Sequence, residues 1–257
     1  MSYIKKECQI NDKIEVEKYY PARYGAPGMP REKKEKKTPE EMARQNFWKR
    51  CQYLRRTMEL NFKGGDLHVT LACRTEDRPS KEDAPAVIRE FRDKVAREYK
   101  KRGWEFKYII TCETGSRGAV HWHMITNNMQ DGVTSTWDII RKYWTRGRPW
   151  MVPMDENREY GQLADYIVKE TGKRIKQENT IEKLSYMASR NLIRPVEKKK
   201  KVDARRWNAV PVPPKGYRLK EESLLNGFNK YTGLPYQKYT LYRIDDGKRK
   251  GGGRGGT

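Results

Sequence analysis

The stretch Gly118-Ala-Val-His-Trp-His-Met-Ile-Thr126 constrains this chain more than any other. From Ala119 to Thr126 it reads as a strand, and alternate side chains of a strand point to the same face. His121 and His123 therefore stand side by side on one face of a sheet. The chain has three histidines in all, and two of them meet here. Two imidazoles at that spacing can chelate one divalent cation, although polar residues on a half-exposed strand would look the same. Glu113 ends the preceding apolar run Tyr108-Ile-Ile-Thr-Cys-Glu113 and is available as a third ligand. Thr114 to Gly118 (Thr-Gly-Ser-Arg-Gly) reads as a hairpin loop that folds that run back against the histidine strand.

Charge is the second constraint. Lys and Arg number 56 against 34 Asp and Glu, a net charge of +22. Such an excess repels itself and marks a protein that works against a polyanion, the plainer alternative being solvated surface. No run approaches the roughly 18 apolar residues of a membrane span, and the N-terminus lacks the apolar core of a signal peptide. The expectation is a soluble protein of a bacterial host cytoplasm with no membrane partner. Cys8, Cys51, Cys73 and Cys112 are scattered without a C-x-x-C pair, which fits a reducing compartment, no disulfide framework and no zinc site.

Along the chain, residues 1–37 read as an extended arm, broken by Pro21, Pro27 and Pro30 and ending in the charge run Arg31 to Lys37. Thr38, Pro39 and Glu41 then start a helix to about Leu60, with Phe47, Cys51, Leu54 and Met58 as its packing stripe. A strand follows at Asp66 to Cys73. A long helix to Arg102 carries Ala84, Val87, Ile88, Phe91, Val95 and Tyr99 on one face, and Gly103 stops it. Further strands are expected at Glu105–Glu113, Ala119–Thr126 and Arg148–Met154, with helices at Ser135–Trp144 and Asn157–Glu170. This order predicts an α+β fold: an antiparallel sheet of four to five strands, with helices on one face and a tyrosine-bearing helix on the other. Basic, partly irregular N- and C-terminal extensions flank it. The expected organisation is a basic arm and helix over 1–62, the central domain over 63–200 and a basic aromatic segment over 201–257. In the last, Trp207, Tyr217, Phe228, Tyr231, Tyr236, Tyr239 and Tyr242 lie among cations. They suit either stacking on unpaired bases or clamping of the segment onto the domain.

The helix after Tyr160 reads Gly-Gln-Leu-Ala-Asp-Tyr-Ile-Val-Lys-Glu. Tyr166 and Lys169 share one flank of it, while Leu163 and Ile167 anchor it to the core. Phenol is a weak nucleophile at its free pKa of about 10, so a tyrosine of this kind needs a nearby cation and a polarised electrophile. A tyrosine and a lysine beside a metal site suit attack on a phosphodiester. Tyr160 lies about 120° away from Tyr166 around the helix and is read as a packing or capping residue.

Taken in order, the strand with Thr70-Leu71, the His121-Trp122-His123 strand and the Tyr166-x-x-Lys169 helix resemble the three motifs of HUH endonucleases. More narrowly they resemble the replication-associated proteins that start rolling-circle replication of bacterial plasmids and single-stranded DNA phages. The resemblance covers about 65–173, under half the chain. It implies Glu113, His121 and His123 as ligands of Mg²⁺ or Mn²⁺, Tyr166 as nucleophile, and Lys169 as a cation on the phosphate. It further implies single-stranded DNA at a replication origin as substrate, a 5′-phosphotyrosine intermediate, and a free 3′-OH that primes synthesis. His68 is left outside the ligand set. No G-x-x-x-x-G-K-[ST] sequence is found, so unwinding falls to supercoiling or a host helicase, and synthesis to a host polymerase.

Two rival readings stay open. A non-enzymatic single-stranded DNA or RNA-binding protein explains the charge, aromatics and Gly/Arg tail equally well, but leaves the three-part constellation to chance. An HUH relaxase or transposase is nearer. Relaxases typically add a downstream histidine, whereas none follows His123. Transposases of this type are usually shorter and lack the long basic flanks.

Overall fold

The computed structural model describes residues 2–21, 38–114, 119–157, 159–168 and 186–244. The expected loop at 115–118, the charge run Arg31 to Lys37, Lys169 and the tail from Lys248 lie outside these residues. In chain order the first elements are β1 (Tyr3–Ile10), β2 (Lys13–Tyr19), α1 (Pro39–Asn61), β3 (Leu67–Ala72), α2 (Ala84–Lys101), β4 (Tyr108–Thr114) and β5 (Val120–Thr126). They are followed by α3 (Thr136–Tyr143), β6 (Trp150–Pro153), a helix α4 over 161–168, β7 (Tyr186–Ala188), β8 (Glu197–Val202), β9 (Tyr217–Phe228) and β10 (Pro235–Arg243). No helix among the described residues is long and apolar enough to cross a membrane. The chain divides into two compact units, Glu40–Arg194 and a second made of Met1–Pro39 with Pro195–Thr257.

In the unit Glu40–Arg194 a five-stranded antiparallel sheet runs β6-β3-β5-β4-β7. Alternation gives it two distinct faces. One face carries Leu67, Val69 and Leu71 of β3, Ile110 of β4, Trp122 and Met124 of β5, and Met151 of β6. It is covered by α2, through Ala84, Ile88, Phe91, Val95 and Tyr99, and by α3, through Ile139 and Ile140. Gly103 closes α2 at φ +68°, the left-handed conformation that glycine adopts without strain. Ser135 opens α3 with a reciprocal capping box: its Oγ accepts from Asp138 N at 3.3 Å and its own N donates to Asp138 Oδ2 at 2.9 Å.

The opposite face is covered only in part. Ile109 and Ile125 pack against Cys51, Leu54, Met58 and Phe62 of α1 and its end, and against Ala164, Ile167 and Val168 of α4. The α+β class and the antiparallel sheet stand as expected, with two helices on each face. Phe47, expected in the buried stripe of α1, is exposed instead, since α1 meets the sheet only from Cys51 onward.

The extended arm expected over 1–37 and the irregular segment expected after 200 are corrected by the second unit. There β8, β1, β2, β10 and β9 form a five-stranded antiparallel sheet in that order. Register is held by charge as well as by apolar contact. Lys6, Glu17 and Lys238 lie opposite one another on β1, β2 and β10, and Glu17 pairs with Lys6 at 2.7 Å and Lys238 at 3.3 Å. On the other face Val16, Tyr239 and Leu241 form a small core. Lys18 is drawn into that face and donates to the buried Gln237 Oε1 at 3.0 Å. Trp207 stacks on Tyr20 and meets Tyr3 edge-on, so this aromatic serves packing.

Trp122 sits between the two histidines in sequence but is 1 % exposed on the reverse face, edge-on to Trp144. It locks the orientation of β5. Trp122→Ala is expected to cost about 3–5 kcal/mol, read as a lowered urea midpoint by circular dichroism. An unchanged midpoint would mean that β5 is held by other contacts.

Candidate metal centre and tyrosine

The site grows out of strand register. On β4 and β5, Glu113 stands directly opposite His121, and Thr111 opposite His123. On the other side of β5, Thr70 of β3 stands opposite His123 and Ala72 opposite His121. Cross-strand partners share a face, so Glu113, His121, His123 and Thr70 all project from the face that α1 and α4 leave partly open. The helices cover the Ile109–Ile125 row, and the site begins at the next row along the strands.

The side chains converge on one atom. Glu113 Oε2 lies 3.1 Å from His121 Nε2 and 3.1 Å from His123 Nε2. The Tyr166 hydroxyl donates to the same oxygen at 2.6 Å and lies 3.1 Å from His123 Nε2. α4 places this tyrosine: Ala164, Ile167 and Val168 are buried, which turns Tyr166, 36 % exposed, toward the cluster. Leu163 packs beside them. Tyr160 is buried in the same apolar cluster and takes no part in the polar one.

The donor set fits a divalent cation. Glu113, His121 and His123 each offer one ligand atom, and these atoms lie within 4.8 Å of one another. Two ligands each about 2.1 Å from a common ion at tetrahedral or octahedral angles sit roughly 3.0–3.4 Å apart, the spacing observed for both Glu113–His pairs. Two imidazoles and one carboxylate leave coordination positions open for a substrate oxygen.

The surroundings tune these groups. Burial pushes the Glu113 carboxyl up, but the Tyr166 hydrogen bond, the charge of His121 and the bonds to both imidazoles outweigh it, so it titrates below its usual range. The acid is held ionised, as a ligand must be. Thr70 Oγ1 lies 3.3 Å from His123 Nδ1 and so fixes the ring while Nε2 faces the cluster. His68, two residues earlier on β3, packs its ring 5.5 Å from that of His123. Burial, and then the charge of His123, push its pKa down to about 4, which keeps this imidazole neutral beside the ligands.

The sequence-predicted Glu113, His121, His123 and Tyr166 thus come together in one cluster, and Lys169 lies outside the described residues. The roles of Thr70 and His68 beside His123 were not read from the sequence. The signal was there: in Leu67-His-Val-Thr-Leu71 the apolar residues alternate with His68 and Thr70, which share the face of the histidine pair.

Among known proteins, no curated protein and no solved structure matches this chain. A family model described as a replication-associated protein of the ORF2 type matches residues 66–173. That segment, under half of the 257 residues, runs from the start of β3 and contains Glu113, His121, His123 and Tyr166. Over the part of the chain that builds the cluster, this protein is similar to replication-associated proteins.

Proposed function

We propose that this protein is a site-specific nicking and rejoining endonuclease of the HUH type, which starts rolling-circle replication by tyrosine transesterification on single-stranded DNA. The observation that carries the reading is the Tyr166 hydroxyl, 2.6 Å from Glu113 Oε2 and 3.1 Å from His123 Nε2. A nucleophile and a mixed histidine–carboxylate set on one open sheet face suit phosphoryl transfer. The similarity of residues 66–173 to replication-associated proteins supports the same reading.

Glu113, His121 and His123 would hold Mg²⁺ or Mn²⁺. When bound, such a cation polarises a non-bridging phosphate oxygen and makes phosphorus more electrophilic. The phenol oxygen of Tyr166 forms a bond to that phosphorus, and the bond to the 3′ oxygen of the preceding nucleotide breaks. The phenol proton passes to an acceptor it already faces, Glu113 Oε2 or His123 Nε2, or to solvent where the cation engages those atoms. The leaving 3′ oxygen gains a proton and becomes the 3′-OH that primes synthesis. The 5′-phosphotyrosine conserves the phosphodiester energy, so reversal at the same site rejoins a strand. Lys169, three residues after Tyr166, supplies positive charge to the phosphate in this scheme. The DNA would be a replication origin, with a host helicase and polymerase acting downstream.

Two outcomes follow from this chemistry. With a labelled single-stranded oligonucleotide and Mn²⁺, wild type and Tyr160→Phe should form a covalent adduct on a denaturing gel, and Tyr166→Phe should not. An adduct that persists in Tyr166→Phe would place the nucleophile elsewhere. His121→Ala should abolish cleavage while leaving most DNA affinity in place, because affinity comes from Lys and Arg spread over the chain. Binding measured against salt should fall with a log–log slope of about −0.7 per phosphate contact in both proteins. DNA binding with no cleavage by wild type under any divalent cation would favour a single-strand-binding protein instead.

A further inference from the structure

Trp150, the first residue of β6, has no part in the cluster yet is 71 % exposed, unusual for a side chain with so much apolar surface. Register says where it points. Trp150 stands directly opposite Thr70 on β3, and Thr70 stands opposite His123 on β5. Thr70 Oγ1 also approaches His123 Nδ1, so all three lie in one cross-strand row on the open face. The next residue, Met151, faces the other way into the α2–α3 core. Val152, two residues on, shares the face of Trp150 and is also exposed. Strand spacing puts the indole about 10 Å from His123 across the sheet, close enough to meet a nucleotide next to one whose phosphate sits at the cluster.

Positive charge lies alongside. Arg148 and Pro149 lead directly into Trp150 and, with Arg74, Arg141, Trp144 and Gly147, line a cleft of about 580 Å³. The loop carrying Arg148 is tied to the end of β3 by Arg74 N to Arg146 O at 2.8 Å and Arg74 Nη2 to Thr145 O at 3.0 Å. Gly147 permits this approach: a Cβ there would lie 2.3 Å from Ala72 O, and Ala72 is the residue opposite His121. The arginines are therefore fixed at the end of the sheet that carries the metal-ligand row.

We propose that Trp150 is a stacking platform for a base of single-stranded nucleic acid adjoining the phosphate held at the cluster, with the arginine cleft attracting neighbouring phosphates. An exposed indole is a sequence-tolerant surface for an unpaired base, and guanidinium groups complement the backbone charge. The proposal rests on the nicking reading for the place of that phosphate, while the platform itself needs only single-strand binding. Trp150 acts here as a positioning residue: it holds the strand and takes no part in bond making.

The test uses the full chain in EDTA and a fluorescein-labelled single-stranded DNA of random sequence, read by anisotropy. Trp150→Ala and Trp150→Leu should weaken binding about tenfold, and Trp150→Phe, which still offers a ring, should stay near wild type. Duplex DNA of the same sequence should bind all four proteins alike. Wild-type affinity for single strands in the Ala and Leu variants would overturn the proposal, and so would equal weakening by Phe, Leu and Ala. Adduct formation by wild type is measured in parallel. If no adduct forms while Trp150→Ala still loses binding, the nicking reading fails and the platform stands. If the adduct forms and Trp150→Ala binds normally, the platform alone fails.

Discussion

One carboxylate oxygen organises the site. Glu113 Oε2 gathers both imidazoles and the Tyr166 hydroxyl, and each partner arrives by a different structural route. The imidazoles arrive by strand alternation on β5, and the carboxylate by its register on β4. The phenol comes from α4, whose buried side makes a core with Ile109 and Ile125. Those two residues lie on the same sheet face as the ligands, in the next covered row. The apolar row therefore sets the position of Tyr166 relative to the histidines. Trp122 on the reverse face opposes any twist of β5 that would part His121 from His123. Neutral His68 and the Thr70 hydroxyl complete the support behind His123.

The second unit shows a different balance of forces. Its sheet joins two segments nearly two hundred residues apart in sequence, with β1 paired to β8 and β2 to β10. β8 reads Glu197-Lys-Lys-Lys-Lys-Val202, and nothing in that run asks for a strand on hydrophobic grounds. It is ordered by backbone pairing with β1, an edge whose lysines also discourage further strand addition. Lys6 pairs with Glu197 at 3.3 Å as well as with Glu17, so a single lysine bridges the carboxylates of two strands. Much of the chain's positive charge stays exposed on this edge strand, which suits contact with a polyanion.

These contrasts explain what could be read in advance. The central sheet, α2, α3 and the histidine strand carry strong periodicity, and the polar cluster follows from that periodicity once β4 and β5 pair. α4 was legible because Leu163 and Ile167 mark its buried side. The terminal sheet was not, because β1, β2 and β8 mix lysine and glutamate into both faces and their partners lie far away in sequence. Proline and charge before α1 weighed more in the sequence than the short alternation of Cys8, Ile10, Ile14 and Val16. Phe47 misled for a related reason: helical spacing continues along α1 beyond the point where the sheet ends. Trp150 carries no sequence signal at all, since only the β3–β6 register reveals which face it occupies.

The most direct measurement of the central claim is calorimetric titration of Mn²⁺ into the metal-free full chain, without DNA, for wild type and Glu113→Ala. If the carboxylate oxygen that gathers the site is a metal ligand, wild type binds a single Mn²⁺ per chain and Glu113→Ala loses most of that affinity while keeping its circular dichroism spectrum. Equal Mn²⁺ affinity in the two proteins, or none in wild type, would contradict the account.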